Sequence, residues 1–331
     1  MIAVDVDIAF VLTAWSAGGW FFLWVTTRRR EVGLGYGWLM RGVFLVLTAV
    51  ALLLLTAADV SAVDTRHPYK SWLGPTMVAV FSAVGLAALA LSVFRKDAGV
   101  AGQRATKERR TARVAAMSGM NRSSHYDPVA AEFPPFLDLS AALIGLLAVV
   151  VLSIESIVAE AGHFSYPHGE VGVQTADYEG VVSSFGQFVG LALRSISRAL
   201  IGALFLGAVT DAMLLGHWYL VQPGLPRAPF LQLVKTTGVL WLPETLMWLW
   251  PESMVWVLNG SINDGYNGLL GWFWVACTAT TVGLVITTLV VLRERQYAAV
   301  MAATGLMYLA IVTAFGQDLV ARILFTQINL G

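Results

Sequence analysis

Apolar stretches close to the thickness of a bilayer recur along this chain, and most of its charge lies at or beyond their ends. They cover about residues 8–27, 38–58, 71–94, 136–158, 199–221, 230–250, 268–292 and 297–318. An α-helix rises 1.5 Å per residue, so about 20 apolar residues cross the ~30 Å hydrocarbon core. Backbone polar groups in lipid must pair among themselves, which leaves only helices and closed barrels as spanning structures. Barrel strands read as alternating segments of about ten residues, whereas these runs are continuous. The expected fold class is all-α: a polytopic integral membrane bundle of about eight transmembrane helices, forming one membrane domain over residues 1–331.

Composition supports this. Of 331 residues, 57% are hydrophobic and 13% charged, with a mean hydropathy of +0.70. Soluble domains carry about 25% charged residues, so this chain has too little charge to coat a soluble surface of its size. The single cysteine, Cys277, excludes an intrachain disulfide and any multi-cysteine metal or iron–sulfur site. Seventeen arginines against four lysines, with abundant Ala, Val and Gly, point to a GC-rich bacterium and so to its inner membrane.

Charge placement sets the expected orientation. Asp5 and Asp7 stand where a cleavable signal peptide would be basic, and Arg28, Arg29 and Arg30 follow the first run directly. This puts the N-terminus outside and the arginines in the cytoplasm. With eight spans the C-terminus is outside as well. Sixteen of the 21 Lys/Arg then fall at or near cytoplasmic ends and three (66, 70 and 322) outside. Residues 95–135 form a basic cytoplasmic loop, of which 106–117 fit either a surface-lying basic helix or a solvated loop. Residues 159–184 contain no Lys or Arg, as expected outside. Residues 185–198 carry Arg194 and Arg198 one turn apart, which predicts an interfacial amphipathic helix; residues 159–198 thus read as an external loop plus that helix. Residues 251–267, rich in Asn, Gly and Trp, form another external loop.

Ionisable residues at membrane depth are costly and mark candidate functional sites. His217, flanked by Trp218 and Tyr219, is the sharpest candidate. An imidazole there can bind a quinone carbonyl, relay a proton, ligate haem, or simply hydrogen-bond a neighbouring helix. Haem fits less well, because His67, His125, His163 and His168 all lie outside the spans. Asp211 precedes His217 by six residues, so the two face different sides of one helix. It reads as a proton-path carboxylate or as one paired across the bundle. Glu244 follows Pro243, whose ring frees a carbonyl in the preceding turn. Asp59, Glu155 and Asp318 form an expected external acidic surface. Trp241, Trp248, Trp250, Trp256, Trp272 and Trp274 read as an aromatic belt or the lining of a pocket.

No Walker A, dinucleotide, zincin or nucleophile-elbow motif is present. The basic loop lacks the aromatic interleaving of a nucleic-acid binder, and no metal site is expected. The first functional expectation is a membrane subunit of a respiratory or other electron-transfer complex. It would contact lipid, anchor partner subunits with a periplasmic redox protein among them, and contribute to a quinone or proton site near His217. The alternative is a secondary transporter with Asp211 and Glu244 as coupling carboxylates. No internal repeat is visible in the sequence, which counts against transport. A membrane-embedded enzyme or an assembly factor is a third class, without a catalytic cluster to support it.

Overall fold

The computed structural model describes residues 2–61, 72–96, 100, 132–163, 185–222, 225–250, 253–261 and 264–328. It is all-helical there: α1 Ile2–Thr27, α2 Leu34–Ser61, α3 Leu73–Phe94, α4 Phe136–His163, α5 Phe185–Val221, α6 Ala228–Leu249, a short α7 Ser253–Leu258, α8 Leu269–Val291 and α9 Tyr297–Ile328. Seven of these are long and apolar enough to cross a membrane. The remaining long helix, α6, has 22 residues and so the necessary length, but Gln232, Lys235 and Glu244 lower its hydropathy. The fold is a polytopic helical membrane bundle. Its outer faces are apolar: Leu53, Val239 and Val312 are each about two-thirds exposed, an arrangement that suits lipid and would be a liability in water.

Most of the 95–135 loop, with its 106–117 segment, and the 164–184 part of the external loop lie outside the described residues, as does the Asp59 side chain. Residues 185–198 do not form a separate interfacial helix. They are the first turns of α5, an unbroken helix of 37 residues. At 1.5 Å per residue it is about 55 Å long and overreaches a ~30 Å hydrocarbon core.

The helices fall into two groups of four. In the first, α1 packs on α2 and α4, and α3 on α2 and α4; in the second, α5 packs on α6 and α9, and α8 on α6 and α9. The neighbour order is therefore the same in both halves, a repeat of architecture that the residues do not advertise. The halves meet chiefly where α1 crosses α5, the two most buried spans, and α4 also packs on α5. Small residues allow that crossing. A methyl built on Gly18 overlaps the Ala203 carbonyl oxygen, and one built on Gly207 overlaps the Gly18 backbone. Ala199, Ala203 and Gly207 recur every fourth residue, the small-residue stripe that lets membrane helices approach closely. Ser16 reinforces the α1–α2 contact, donating to the Phe44 carbonyl at 2.9 Å and pairing with Thr48 at 2.7 Å. Trp20, Tyr36, Phe44, Phe81, Phe205 and Phe230 fill the shared core.

Both halves run in the same direction. The C-terminal end of α5 meets the start of α2, with Trp218 against Gly35 and Tyr36. The same end of the bundle holds the Arg30–Glu132 pair and Arg95, which donates to the Glu132 carbonyl. It also holds Arg227, which donates to the carbonyls of Glu294, Arg295 and Gln296 in the α8–α9 turn. We call this the arginine-rich end.

Candidate functional site

Three polar clusters lie in the bundle interior, and the residues singled out in the sequence are divided among them. The first is at the arginine-rich end. Arg41, only 1% exposed, sits two turns into α2 and grips Asp138 in the first turn of α4. Arg41 Nε and Nη2 donate to the carboxylate at 2.8 and 2.7 Å, and Thr27 donates to the same group at 3.0 Å. The guanidinium stacks over Phe133 at 4.2 Å. Sequence reasoning assigned Arg41 to topology alone; its position two turns inside an apolar helix was the available signal of burial.

The second cluster centres on Asp211, which is fully buried on α5. Tyr36 on α2 donates to its Oδ1 at 3.2 Å, so the bond crosses from one half to the other. Its Oδ2 is buried without a hydrogen-bond partner among the described residues. The expectation that Asp211 faces a neighbouring helix and points away from His217 holds. Trp218 stacks near Tyr36 and donates to Gln222, while Tyr219 is buried and donates to the Pro226 carbonyl.

The third cluster lies toward the other end and joins α5, α6 and α9. Arg322 forms a two-armed pair with Asp318, one turn earlier on α9, at 2.8 and 3.0 Å. Glu244 on α6 is fully buried, and Trp248 donates to its Oε1 at 2.7 Å. Arg198 on α5 donates to the Met247 carbonyl at 2.8 Å and stacks over Trp248. Gly202 on α5 is where the groups converge: a methyl there would lie 3.0 Å from Arg322 Nη2, 3.1 Å from Asp318 Oδ1 and 3.5 Å from Glu244 Oε2. Two part-buried arginines thus lie beside two buried carboxylates in one cluster. Two acceptors in this region, Glu244 Oε2 and Gln317 Oε1, are buried and have no hydrogen-bond partner among the described residues. Gln317 turns its amide toward Thr245 at 3.5 Å.

Of the expected external acidic surface, Asp59 lies outside the described side chains, and the two described carboxylates, Glu155 and Asp318, each have a partner. Asp318 is 1% exposed and is paired with Arg322 at the next turn. Glu155 caps another helix: its Oε1 accepts from the backbone N–H of Gly74 at 2.9 Å, at the start of α3. A carboxylate there meets the positive end of the helix dipole. The tryptophans also divide. Trp248 and Trp274 pack with Met254, Val257 and Leu324, while Trp250, Trp256 and Trp272 are exposed.

His217 is not enclosed. It lies exposed on the outer face of α5, and its Nδ1 shares a 3.1 Å hydrogen bond with the Tyr308 hydroxyl on α9. His217, Asp211, Glu244, Trp218 and Tyr219 therefore do not line one pocket. Outside the spans, the connection into α8 is built on Asp264, whose carboxylate accepts from the backbone N–H groups of Tyr266, Gly268 and Leu270 at 2.8–3.0 Å. Burial pushes this carboxyl up, but these N–H groups and that of Gly271 outweigh it and hold it below the usual aspartate value.

No protein-family model, curated protein or solved structure matches the chain.

Proposed function

We propose that this protein is a membrane carrier coupled to protons or small cations, with Glu244 and Asp211 as the coupling carboxylates. The observation that carries this reading is the Glu244–Asp318–Arg322–Arg198 cluster. Its two carboxylates are buried, and one Glu244 oxygen has no hydrogen-bond partner among the described residues. An unpartnered buried carboxylate oxygen is expensive, and taking up a proton or cation removes that cost. Asp211 supplies a second such oxygen nine residues along α5 from Gly202, about 13 Å by helix rise. Its bond to Tyr36 bridges the two four-helix halves. Secondary transporters commonly place binding groups at the interface of repeated halves; Asp211 lies at that interface, the Glu244 cluster lies within the second half, and the matching neighbour order supports a carrier although the sequence shows no repeat.

Reconstituted vesicles test this. A potassium diffusion potential is imposed, and internal pH and sodium-22 uptake are followed. The expected result is movement of one cation above protein-free vesicles, abolished by Glu244→Gln and reduced by Asp211→Asn. Flux in neither channel, or full flux in both variants, refutes the reading.

A second reading rests on a different observation. His217 and Tyr308 place an imidazole and a phenol together on a lipid-facing surface, where a quinone can approach from the bilayer. On that reading the protein is a membrane subunit of an electron-transfer complex. Mild-detergent purification from native membranes then yields fixed oxidoreductase partners, and His217→Ala lowers quinone-linked electron transfer while assembly survives. Purification of the protein alone sinks it.

A further inference from the structure

At the arginine-rich end a small, open cleft of about 30 Å³ lies between the α1–α2 turn, the first turns of α2 and the approach to α4. Arg30, Gly33, Gly37, Arg41, Glu132 and Phe133 line it. Arg41 spends two of its nitrogens on Asp138, and the third, Nη1, is buried with no partner among the described residues. Gly37 packs closely against that nitrogen: a methyl built on it would lie 2.6 Å from Nη1. Arg30 holds the mouth in a left-handed conformation, φ 54°, that is unusual for a side-chain-bearing residue. Its guanidinium is half-exposed and paired with Glu132 at 2.9 Å.

A buried, unmet guanidinium N–H on a residue that lines a cleft calls for an oxygen acceptor, since leaving it unmet is costly. The local charge says which kind. Among the described residues, segments 28–41, 95–96 and 132–138 carry six cationic side chains (Arg28, Arg29, Arg30, Arg41, Arg95 and Lys96) against three acidic ones (Glu31, Glu132 and Asp138). The excess is positive, so an anionic oxygen ligand is favoured over a neutral carbonyl. Val32, Leu34 and Pro135 give the cleft an apolar wall beside these donors. We infer that the cleft is a phosphate-binding site, in which Arg41 Nη1 and Arg30 donate to the oxygens of a phosphate group. That phosphate belongs either to an anionic phospholipid or to a small soluble phosphate compound. This is independent of the carrier reading, because the cleft shares no residue with the Glu244 or Asp211 clusters.

The full-length protein, purified in neutral detergent, is exchanged into nanodiscs containing equal phosphatidylglycerol and phosphatidylcholine. Retained lipid is then counted by native mass spectrometry with and without inorganic phosphate. Retention of phosphatidylglycerol over phosphatidylcholine establishes a headgroup site. Phosphate binding by titration calorimetry without lipid preference establishes a soluble-phosphate site. Arg30→Gln, which leaves the Arg41–Asp138 pair in place, weakens either binding by roughly tenfold, the effect of one charge-assisted contact. Gly37→Ala, which crowds Nη1, weakens it as well. Neither lipid preference nor phosphate binding in the unmodified protein overturns the site. Binding left unchanged by both substitutions does so too.

Discussion

Separating Arg41 from Asp138 should be among the most damaging changes in this protein, and changing both together among the mildest. Both side chains are almost completely buried, joined by two hydrogen bonds, with Thr27 supplying a third to the carboxylate. Asp138→Leu leaves a buried guanidinium with no counter-charge and two more N–H groups unmet. Breaking a buried pair in this way costs about 3–5 kcal/mol. Arg41→Met is expected to cost about 1 kcal/mol less. Asp138 lies in the first turn of α4 and keeps both Thr27 and the positive helix end, and that dipole contributes about 0.3–1 kcal/mol and up to ~2 when partly buried. The double variant removes both charges, and paired apolar replacement is often close to neutral. The assay is reversible unfolding in mixed micelles of rising dodecyl sulfate fraction, followed by tryptophan fluorescence. Two outcomes refute the reasoning: single variants within about 1 kcal/mol of the parent protein, below the range for a broken buried pair, or a double variant whose loss equals the sum of the singles.

Three further outcomes follow from geometry already described. Gly18→Ala forces α1 away from α5 and should cost about 3 kcal/mol, the upper end for overpacking; Gly42→Ala and Gly305→Ala meet nothing within 4 Å and should be neutral or slightly stabilising in thermal scans in detergent. Gly74→Ala displaces the Glu155 carboxylate from the start of α3, and Glu155→Gln should then cost almost nothing more in that background. Asp264 is held below its ordinary value of 3.8, so its contribution to stability is complete above that value and is lost as pH falls through its lower folded value. Asp264→Asn should flatten the acid limb of a melting-temperature series from neutral to below pH 3.8, and coincident acid limbs would discard this account.

Much of the architecture is legible because lipid imposes one simple rule on each span, and that rule acts locally. The apolar runs therefore locate the eight long helices to within a few residues at most ends. What escapes is whatever depends on distant partners. Arg194 and Arg198 suggest an interfacial helix when α5 is considered alone; Arg198 is tolerated within the bundle because Trp248 and the Met247 carbonyl, about fifty residues later, receive it. Asp318 passes for a surface carboxylate although Arg322, four residues on, gives a local hint of pairing. The Ala199–Ala203–Gly207 stripe is equally local and was readable as a packing face. The placement of Asp211 opposite a helix partner is foreseen by its depth and angle, but the identity of Tyr36 is not, since nothing within α5 specifies it. The separation of His217 from the buried carboxylates follows from helical angle alone, while its exposure depends on which face α9 covers.

The crossing of α1 and α5 also bears on how the chain is assembled. Each group of four helices completes its own circuit of neighbours, so the N-terminal group can close before any of the C-terminal group has been synthesised. Joining the groups then brings the two glycine-bearing backbones of α1 and α5 into register, packs α4 on α5, and lets Tyr36 and Trp15 bond Asp211 and Thr210. A chain cut between His163 and Phe185, with its halves made as separate polypeptides, retains every one of those contacts. On these contacts alone, the two groups of helices are related to each other as the subunits of a heterodimer are.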